Sequence, residues 1–354
     1  MTKPERDKNK IRKPNRKLVL IVMVLILAVV FILANAIGTV FVPFPQIIRI
    51  ILKHLGILRD TVFQYGQEAI IFMVRLPRVI VAMVVGAALA TAGAVMQGMF
   101  RNPMADPGII GISSGASLGA VTAILTGLSV RNIYYMPMFA IAGALGAALI
   151  IFILSSRGGK VPVLTLVLSG IAVSTFLGAI TSVILTYIND YQVRAYLFWT
   201  LGGLSDRRWE HVNLATLPII VCIAVLFIFA RDLNVLQLGE EEAQAVGLNP
   251  SRTRKILLFF ASVTAALAVC VSGAISFVGL IVPHIMRLIV GPDHRILLPA
   301  SALGGAIFLI VCDLISRVVL LPREIGVGIV TSLIGAPYFL FLLIRARKDG
   351  GAVI

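Results

Sequence analysis

The chain has 354 residues, of which 59% are hydrophobic and 13% are charged. Charged residues make up about 25% of soluble globular domains, so this composition excludes the soluble class and indicates an integral membrane protein. The net charge of +15 lies in short segments between apolar runs and at the two ends, which favours contacts with anionic lipid headgroups over nucleic-acid binding.

The first 17 residues precede the first apolar run and contain eight lysines and arginines. They are not followed by a short apolar core with a small-residue cleavage site, as a secretory signal would be. We therefore predict that residues 1–17 form a basic cytoplasmic tail ahead of a retained membrane helix.

Nine runs without Asp, Glu, Lys or Arg are long enough to cross about 30 Å of hydrocarbon at roughly 1.5 Å per residue. The run 256–286 is too long for one span and contains Gly273, Gly279 and Pro283, so it is predicted to form two helices. The sequence therefore predicts an all-α integral membrane protein with ten transmembrane helices. The nine runs are 18–34, 79–100, 107–130, 132–156, 161–189, 211–230, 256–286, 296–312 and 325–344.

Both ends of the chain are basic, and basic segments of membrane proteins face the cytoplasm. Only an even number of spans places both termini there, and with ten spans eight of the nine lysines are cytoplasmic, Lys53 being the exception. The loops predicted inside are near 98–107, 155–162, 231–255 and 291–295, and those predicted outside are near 38–78, 126–136, 188–210 and 318–325.

Small residues recur in GAALATAGA (86–94), GISSGASLGA (111–120) and ALGGA (302–306). Small side chains allow membrane helices to approach closely, so most of these glycines are predicted to be structural. In the intervening RNPMADPG, Asp106 and Pro107 fit the N-cap and first position of a new helix.

The longest predicted cytoplasmic loop, 231–255, contains the sequence GEEEAQAVG. Three acidic residues in a first turn favour a helix because they face its positive dipole end, and Gly247 fits a C-cap. A short amphipathic helix is predicted here, either as a solvated connector or as a docking element.

Four segments in this order resemble the FecCD family of bacterial permeases. The family consists of ABC importer subunits that import iron–siderophore complexes, haem and cobalamin. The resemblance implies the vitamin B12 importer-type (type II ABC importer) fold with ten helices, in a permease domain at 18–345 followed by a cytoplasmic tail at 346–354. The segments are Arg75-Leu-Pro-Arg78 with 86–120, then 238–248, 273–306 and 326–343.

The resemblance also implies the partners of the chain. These are two copies of an ATP-binding subunit, an external substrate-binding protein, a second permease subunit in a homodimer or heterodimer, and the lipids of a bacterial cytoplasmic membrane. The chain is not expected to be an enzyme or to bind a cofactor or metal, since it has no GxxxxGK[ST] or HExxH motif. The three cysteines, Cys222, Cys270 and Cys312, are interpreted as small core residues.

Three groups of site residues follow from the resemblance. Arginine forks suit contacts with glutamates of a binding protein, but Arg317 lies four residues after Asp313 and could instead pair with it. Docking of the binding protein is assigned to Arg75, Arg78 and Arg317, ATPase coupling to Gly239, Glu240, Glu241, Glu242, Ala243 and Gly247, and the cytoplasmic gate region to Pro162, Val163 and Leu164.

The sequence lacks the features expected of two other functional classes. An ion-gradient-driven transporter is expected to carry carboxylates in mid-membrane, and apart from Asp313, toward one end, the spans contain none. A membrane-embedded enzyme needs a catalytic constellation, which four scattered histidines do not supply. An iron–siderophore complex is the expected substrate because that role is commonest in the family, with haem and cobalamin as alternatives.

Overall fold

The computed structural model describes residues 16–58, 63, 65–156 and 162–348, and this part of the chain is helical without strands. A π-helical turn, Ile70–Arg75, joins α3 to α4, and a 3-10 turn, Pro107–Ile110, precedes α5. The α-helices are α1 Arg16–Ala36, α2 Phe44–His54, α3 Tyr65–Ala69, α4 Leu76–Phe100, α5 Ile112–Leu125, α6 Leu128–Arg131, α7 Tyr135–Ser155, α8 Val163–Tyr187, α9 Asp190–Thr200, α10 Trp209–Ile228, α11 Ala230–Leu236, α12 Glu240–Ala245, α13 Pro250–Ser272, α14 Val278–Val290, α15 His294–Val318 and α16 Val327–Lys348.

Seven helices are long and apolar enough to cross a membrane, and three shorter apolar helices bring the number within the described ranges to ten. The predicted number of spans is confirmed. The run 256–286 is divided as expected, since α13 ends at Gly273 with a φ of 68° and α14 begins at Val278. The end of the bundle at which α1 begins is called below the predicted cytoplasmic end, and the opposite end the predicted external end.

Several predicted boundaries were wrong. The run 107–130 is not one helix, because Gly111 and Gly127 adopt left-handed φ angles of 67° and 68° that interrupt it. Asp106 does act as an N-cap, accepting from the Gly108 N–H at 2.7 Å, but it caps a 3-10 turn. At the termini, α1 begins at Arg16 and α16 ends at Lys348, and the bounds of the two tails and of the permease domain stay a prediction.

Two predicted external loops contain helices. Within 38–78, α2 is strongly amphipathic and buries Ile47 and Ile50. Within 188–210, α9 follows its N-cap Asn189, whose side chain accepts from the Gln192 N–H in a capping box. Their charged residues kept both segments out of the charge-free runs.

The centre of the bundle is α4, which is buried over almost its full length and packs on α10, α13, α14 and α15. Glycines allow this proximity: a Cβ on Gly86 would overlap the carbonyl oxygen of Gly305 in α15, and a Cβ on Gly93 would overlap that of Gly279 in α14. The predicted structural role is confirmed for these glycines. The three cysteines are buried and unpaired.

Candidate functional site

Helices α4 and α15 cross the bundle side by side, and polar groups join them at both ends. At the predicted external end, Asp313 on α15 is fully buried between two arginines. The Nε of Arg78 donates to Asp313 Oδ1 at 2.9 Å, and the Nη2 of Arg317 lies 3.1 Å from Asp313 Oδ2. The possible pairing of Asp313 with Arg317 is therefore confirmed, and Arg78 from α4 is an additional partner.

Glu324, in the loop between α15 and α16, extends this network. Its Oε2 accepts from Arg78 Nη1 at 2.8 Å and from the Ser205 hydroxyl at 2.8 Å. Burial alone would raise the pKa of Glu324, but the Arg78 guanidinium beside it outweighs burial and lowers that pKa below its ordinary value. The sequence offered no signal for this contact beyond an acidic residue on the same predicted side.

Arg75 lies at the same end but binds different groups. Its Nη1 donates to the carbonyl oxygens of Asn35 at 2.8 Å and Ala36 at 3.0 Å, and its Nη2 donates to the carbonyl of Val40. Because the last carbonyls of a helix have no partner within it, Arg75 caps the end of α1.

We call Arg75, Arg78, Arg317, Asp313 and Glu324 the external arginine cluster. The cluster contains three cations and two carboxylates, and the arginines are 5%, 6% and 5% exposed. In the single chain each guanidinium is thus engaged by the protein itself. Their predicted role in docking a binding protein stays a prediction.

At the predicted cytoplasmic end, α12 is an exposed helix in which Ala243 is buried. Gly247 adopts a φ of 83°; its N–H donates to Gln244 O at 2.9 Å, and the Leu248 N–H donates to Ala243 O at 3.0 Å. These two bonds form a Schellman motif, which ends the helix. The predicted short helix and its glycine cap are confirmed, whereas its role in coupling stays a prediction.

The acidic residues of α12 have different surroundings. Glu240 pairs with Arg254 of α13, and the Glu242 carboxylate folds back over Gly239. All three glutamates are exposed. At the margins of the helix, Leu238 and Val246 are each 68% exposed. The surface of α12 is therefore acidic with apolar edges.

Asn234 on α11 connects this region to the start of α15. Its Nδ2 donates to Asp293 Oδ1 at 2.7 Å, and its Oδ1 lies 2.9 Å from the His294 N–H and 2.8 Å from His294 Nδ1. Because the amide oxygen only accepts, Nδ1 of His294 carries the ring proton. His294 is fully buried, and Gly98 of α4 leaves room for its ring.

Arg101 forms two further hydrogen bonds with α11. Arg101, the C-cap of α4, donates from Nε and Nη2 to the Leu236 carbonyl at 3.1 and 2.8 Å. Burial of Asp293 works against its ionisation, but hydrogen bonds from Arg295 and Asn234 outweigh it and lower the pKa of Asp293 to about 2. Helix α11, which leads into α12, is thus bound to both α4 and α15. Sequence reasoning missed these residues, although Asp293 before an apolar run carries an N-cap signal.

The predicted gate residues lie at the start of α8. Pro162 is the N-cap, with φ and ψ of −64° and 135°, and Leu164 is 71% exposed. The preceding residues 157–161, which include the rest of the predicted turn, and the side chain of Val163 lie outside the described residues. Along α8, one exposed face carries hydroxyl groups at helical spacing. They belong to Thr165, Thr175, Ser182 and Thr186.

In the part of the chain that the structure describes, no group of three or more His, Cys, Asp or Glu residues could hold a metal ion.

Residues 25–345 match the FecCD transport family. The cobalamin import system permease protein of Halobacterium salinarum is 50% identical over 78% of this chain and 73% of its own length. The hemin transport system permease protein of Yersinia pestis is 44% identical over 78% and 83% of the two chains. The Fe(3+)-citrate import system permease protein of Bacillus subtilis is 38% identical over 96% and 98%.

The fold is also similar to a solved structure of a metal-chelate type ABC transporter in an inward-facing conformation. The TM-score is 0.81 at 32% sequence identity, and the similarity covers 93% of this chain and 99% of the other.

Proposed function

The chain belongs to the FecCD transport family, and we propose that it is the permease subunit of an ATP-driven importer of an iron–siderophore complex. The match over residues 25–345 carries this proposal, because it extends from α1 to α16. Two ATP-binding subunits, an external substrate-binding protein and a second permease subunit complete the importer. The chain itself contributes the pathway and performs no catalysis.

The proposed substrate is iron held by a siderophore. Among the relatives, the iron(3+)-citrate permease aligns with 96% of this chain at 38% identity, and the cobalamin and hemin permeases align with 78% at 50% and 44% identity. The hydroxyl-bearing face of α8 suits the passage of a polar complex, because its groups can exchange hydrogen bonds without holding a metal tightly. Haem and cobalamin are the alternative substrates.

We assign the contact with the ATP-binding subunit to Gly239–Gly247. An exposed acidic helix with apolar edges fits a partner surface that is basic around an apolar pocket. Because α11 is bound to α4 by Arg101 and to α15 by Asn234, a displacement of α12 would be passed to the two central helices. Those helices meet again at Asp313 near the predicted external end.

We assign docking of the external binding protein to the external arginine cluster. It contains three cations and two carboxylates, so acidic side chains of a partner would balance the remaining charge. Docking of the binding protein would draw Arg75 away from the end of α1, or Arg78 and Arg317 away from Asp313. Either change would alter the contacts that connect α4 to its neighbours. The gate is assigned to Pro162–Leu164, where the exposed Leu164 lies in the first turn of α8.

Uptake by sealed vesicles tests the proposal. Vesicles holding this chain with its ATP-binding subunit and binding protein are given iron-loaded hydroxamate, iron citrate, hemin or cobalamin, with and without internal ATP. We expect uptake of an iron chelate that requires ATP and persists when ionophores collapse the ion gradients. Uptake that needs a gradient and not ATP would instead establish the gradient-driven class.

A further inference from the structure

A polar cavity of about 350 Å³ opens at the predicted external end, apart from the external arginine cluster. It lies between the end of α9, the start of α10 and the segment leading into α7. Trp199 and Pro137 form part of its apolar wall, and the polar side includes Asp206, Arg207, Arg208 and His211.

Arg207 lacks a strong partner within the protein. Its Nη2 is 3.4 Å from Gly203 O and its Nη1 is 3.4 Å from His211 Nε2, both at the outer limit for a hydrogen bond. Its Nε is buried without any partner. Asp206 adjoins Arg207 in the chain, but among the described residues no carboxylate forms an ion pair with this guanidinium.

The tautomer of His211 adds a second unsatisfied donor. His211 Nδ1 accepts the Arg208 N–H at 3.2 Å, so the ring proton is on Nε2. Nε2–H and Arg207 Nη1 are then both donors, and they cannot satisfy each other. An acceptor placed between Nη1 and Nε2–H would satisfy these two donors together.

Electrostatics favour an anionic acceptor. Burial lowers the pKa of Arg207 to about 10, so the guanidinium remains charged at neutral pH although its surroundings disfavour that charge. The first turn of α10 also points its positive dipole end towards this region. Asp206 offsets part of this charge from within the cavity lining but forms no ion pair with Arg207, so an anionic ligand would compensate the half-buried cation further.

We infer that this cavity binds a carboxylate group, held by Arg207 with His211 as a second donor. The planar guanidinium fork matches the two oxygens of a carboxylate. The group could come from a small polycarboxylate, free or chelating a metal, or from an acidic side chain presented by a protein. The site goes beyond the proposed function, because it does not depend on coupling to ATP.

Titration of the purified full-length chain in lipid nanodiscs tests this inference. Trp199 lines the cavity, so its fluorescence reports occupancy, with sodium chloride at equal ionic strength as the blank. We expect a saturable response to citrate that weakens at least tenfold in Arg207→Gln. The matched control is Arg194→Gln, which removes an exposed arginine of α9 outside the cavity and should titrate as the wild type does.

A second probe, N-acetylglutamate amide, carries a single side-chain carboxylate and so imitates an acidic residue of a protein. Comparing it with citrate distinguishes an acidic side chain from a small polycarboxylate as the source of the group. A response to both probes indicates a site that also accepts acidic side chains, and a response to citrate alone indicates a small-molecule polycarboxylate. Arg207→Lys keeps the charge but loses the fork, and it replaces Arg207→Gln if that variant does not fold. The inference is overturned if neither probe gives a saturable wild-type response, or if the Arg207 variant that folds titrates like Arg194→Gln.

Discussion

Replacing Asp313 by asparagine should strongly destabilise the chain. The side chain keeps its shape, but the negative charge between Arg78 and Arg317 is lost. Asp313 is 0% exposed and the arginines are 6% and 5% exposed, so neither cation can recover its hydration without rearrangement. Removing one member of a buried ion pair costs about 3–5 kcal/mol, and we expect the lower end of that range because Glu324 still contacts Arg78.

Urea unfolding in mixed micelles, followed by tryptophan fluorescence, measures this free energy. Trp209 reports on the region because its Nε1 donates to Phe72 O at 2.9 Å near the start of α4. The control is Glu324→Gln: that side chain is 39% exposed, so its loss should cost less than about 1 kcal/mol. The double variant Asp313→Asn/Arg317→Gln should regain part of the lost stability, because one unpaired cation is removed with the carboxylate. A value for Asp313→Asn as small as that for Glu324→Gln would refute this reasoning.

Three further predictions concern the packing and the predicted cytoplasmic end. Gly93→Ala should prevent accumulation of folded protein in size-exclusion profiles, since the new Cβ would overlap Gly279 backbone, whereas Gly146→Ala meets nothing within 4 Å and should behave as wild type. Asn234→Ala should lower the free energy of unfolding by about 1–3 kcal/mol, because it leaves buried donors of His294 unpaired, and it should reduce the substrate imported per ATP hydrolysed. The pKa of Asp293 is lowered from 3.8 to about 2, so its stabilising effect is complete above pH 3.8 and is lost as pH falls towards 2; urea midpoints of Asp293→Asn should lack this dependence.

The helices could be predicted from sequence because each depends on a local signal. Charge-free runs located the spans, Gly273 marked the division of 256–286, and the acidic turn with Gly247 located α12. Helix α2 was missed because Arg49 and Lys53, on the face opposite Ile47, interrupt the charge-free run, although an amphipathic helix at a membrane surface is built in this way.

The site could be predicted only where its contacts are local. The pairing of Asp313 with Arg317 follows from helical spacing, whereas Arg78 lies 235 positions from Asp313 and Asn234 lies 60 positions from His294. Such contacts depend on which helices become neighbours, and hydropathy does not determine that. The burial of the three arginines likewise results from tertiary packing that no single segment encodes.

The measurement that tests the account most directly compares Ala243→Pro with wild type in vesicles holding the assembled importer. The Ala243 N–H donates to Gly239 O at 3.1 Å, and proline both removes this donor and disrupts the helix. Gln244→Ala, an exposed change that preserves the helix, is the control. We predict that Ala243→Pro inserts and folds in the membrane but loses substrate-stimulated ATP hydrolysis and uptake, while Gln244→Ala retains both. Normal transport by the proline variant would contradict the assignment of α12 to coupling.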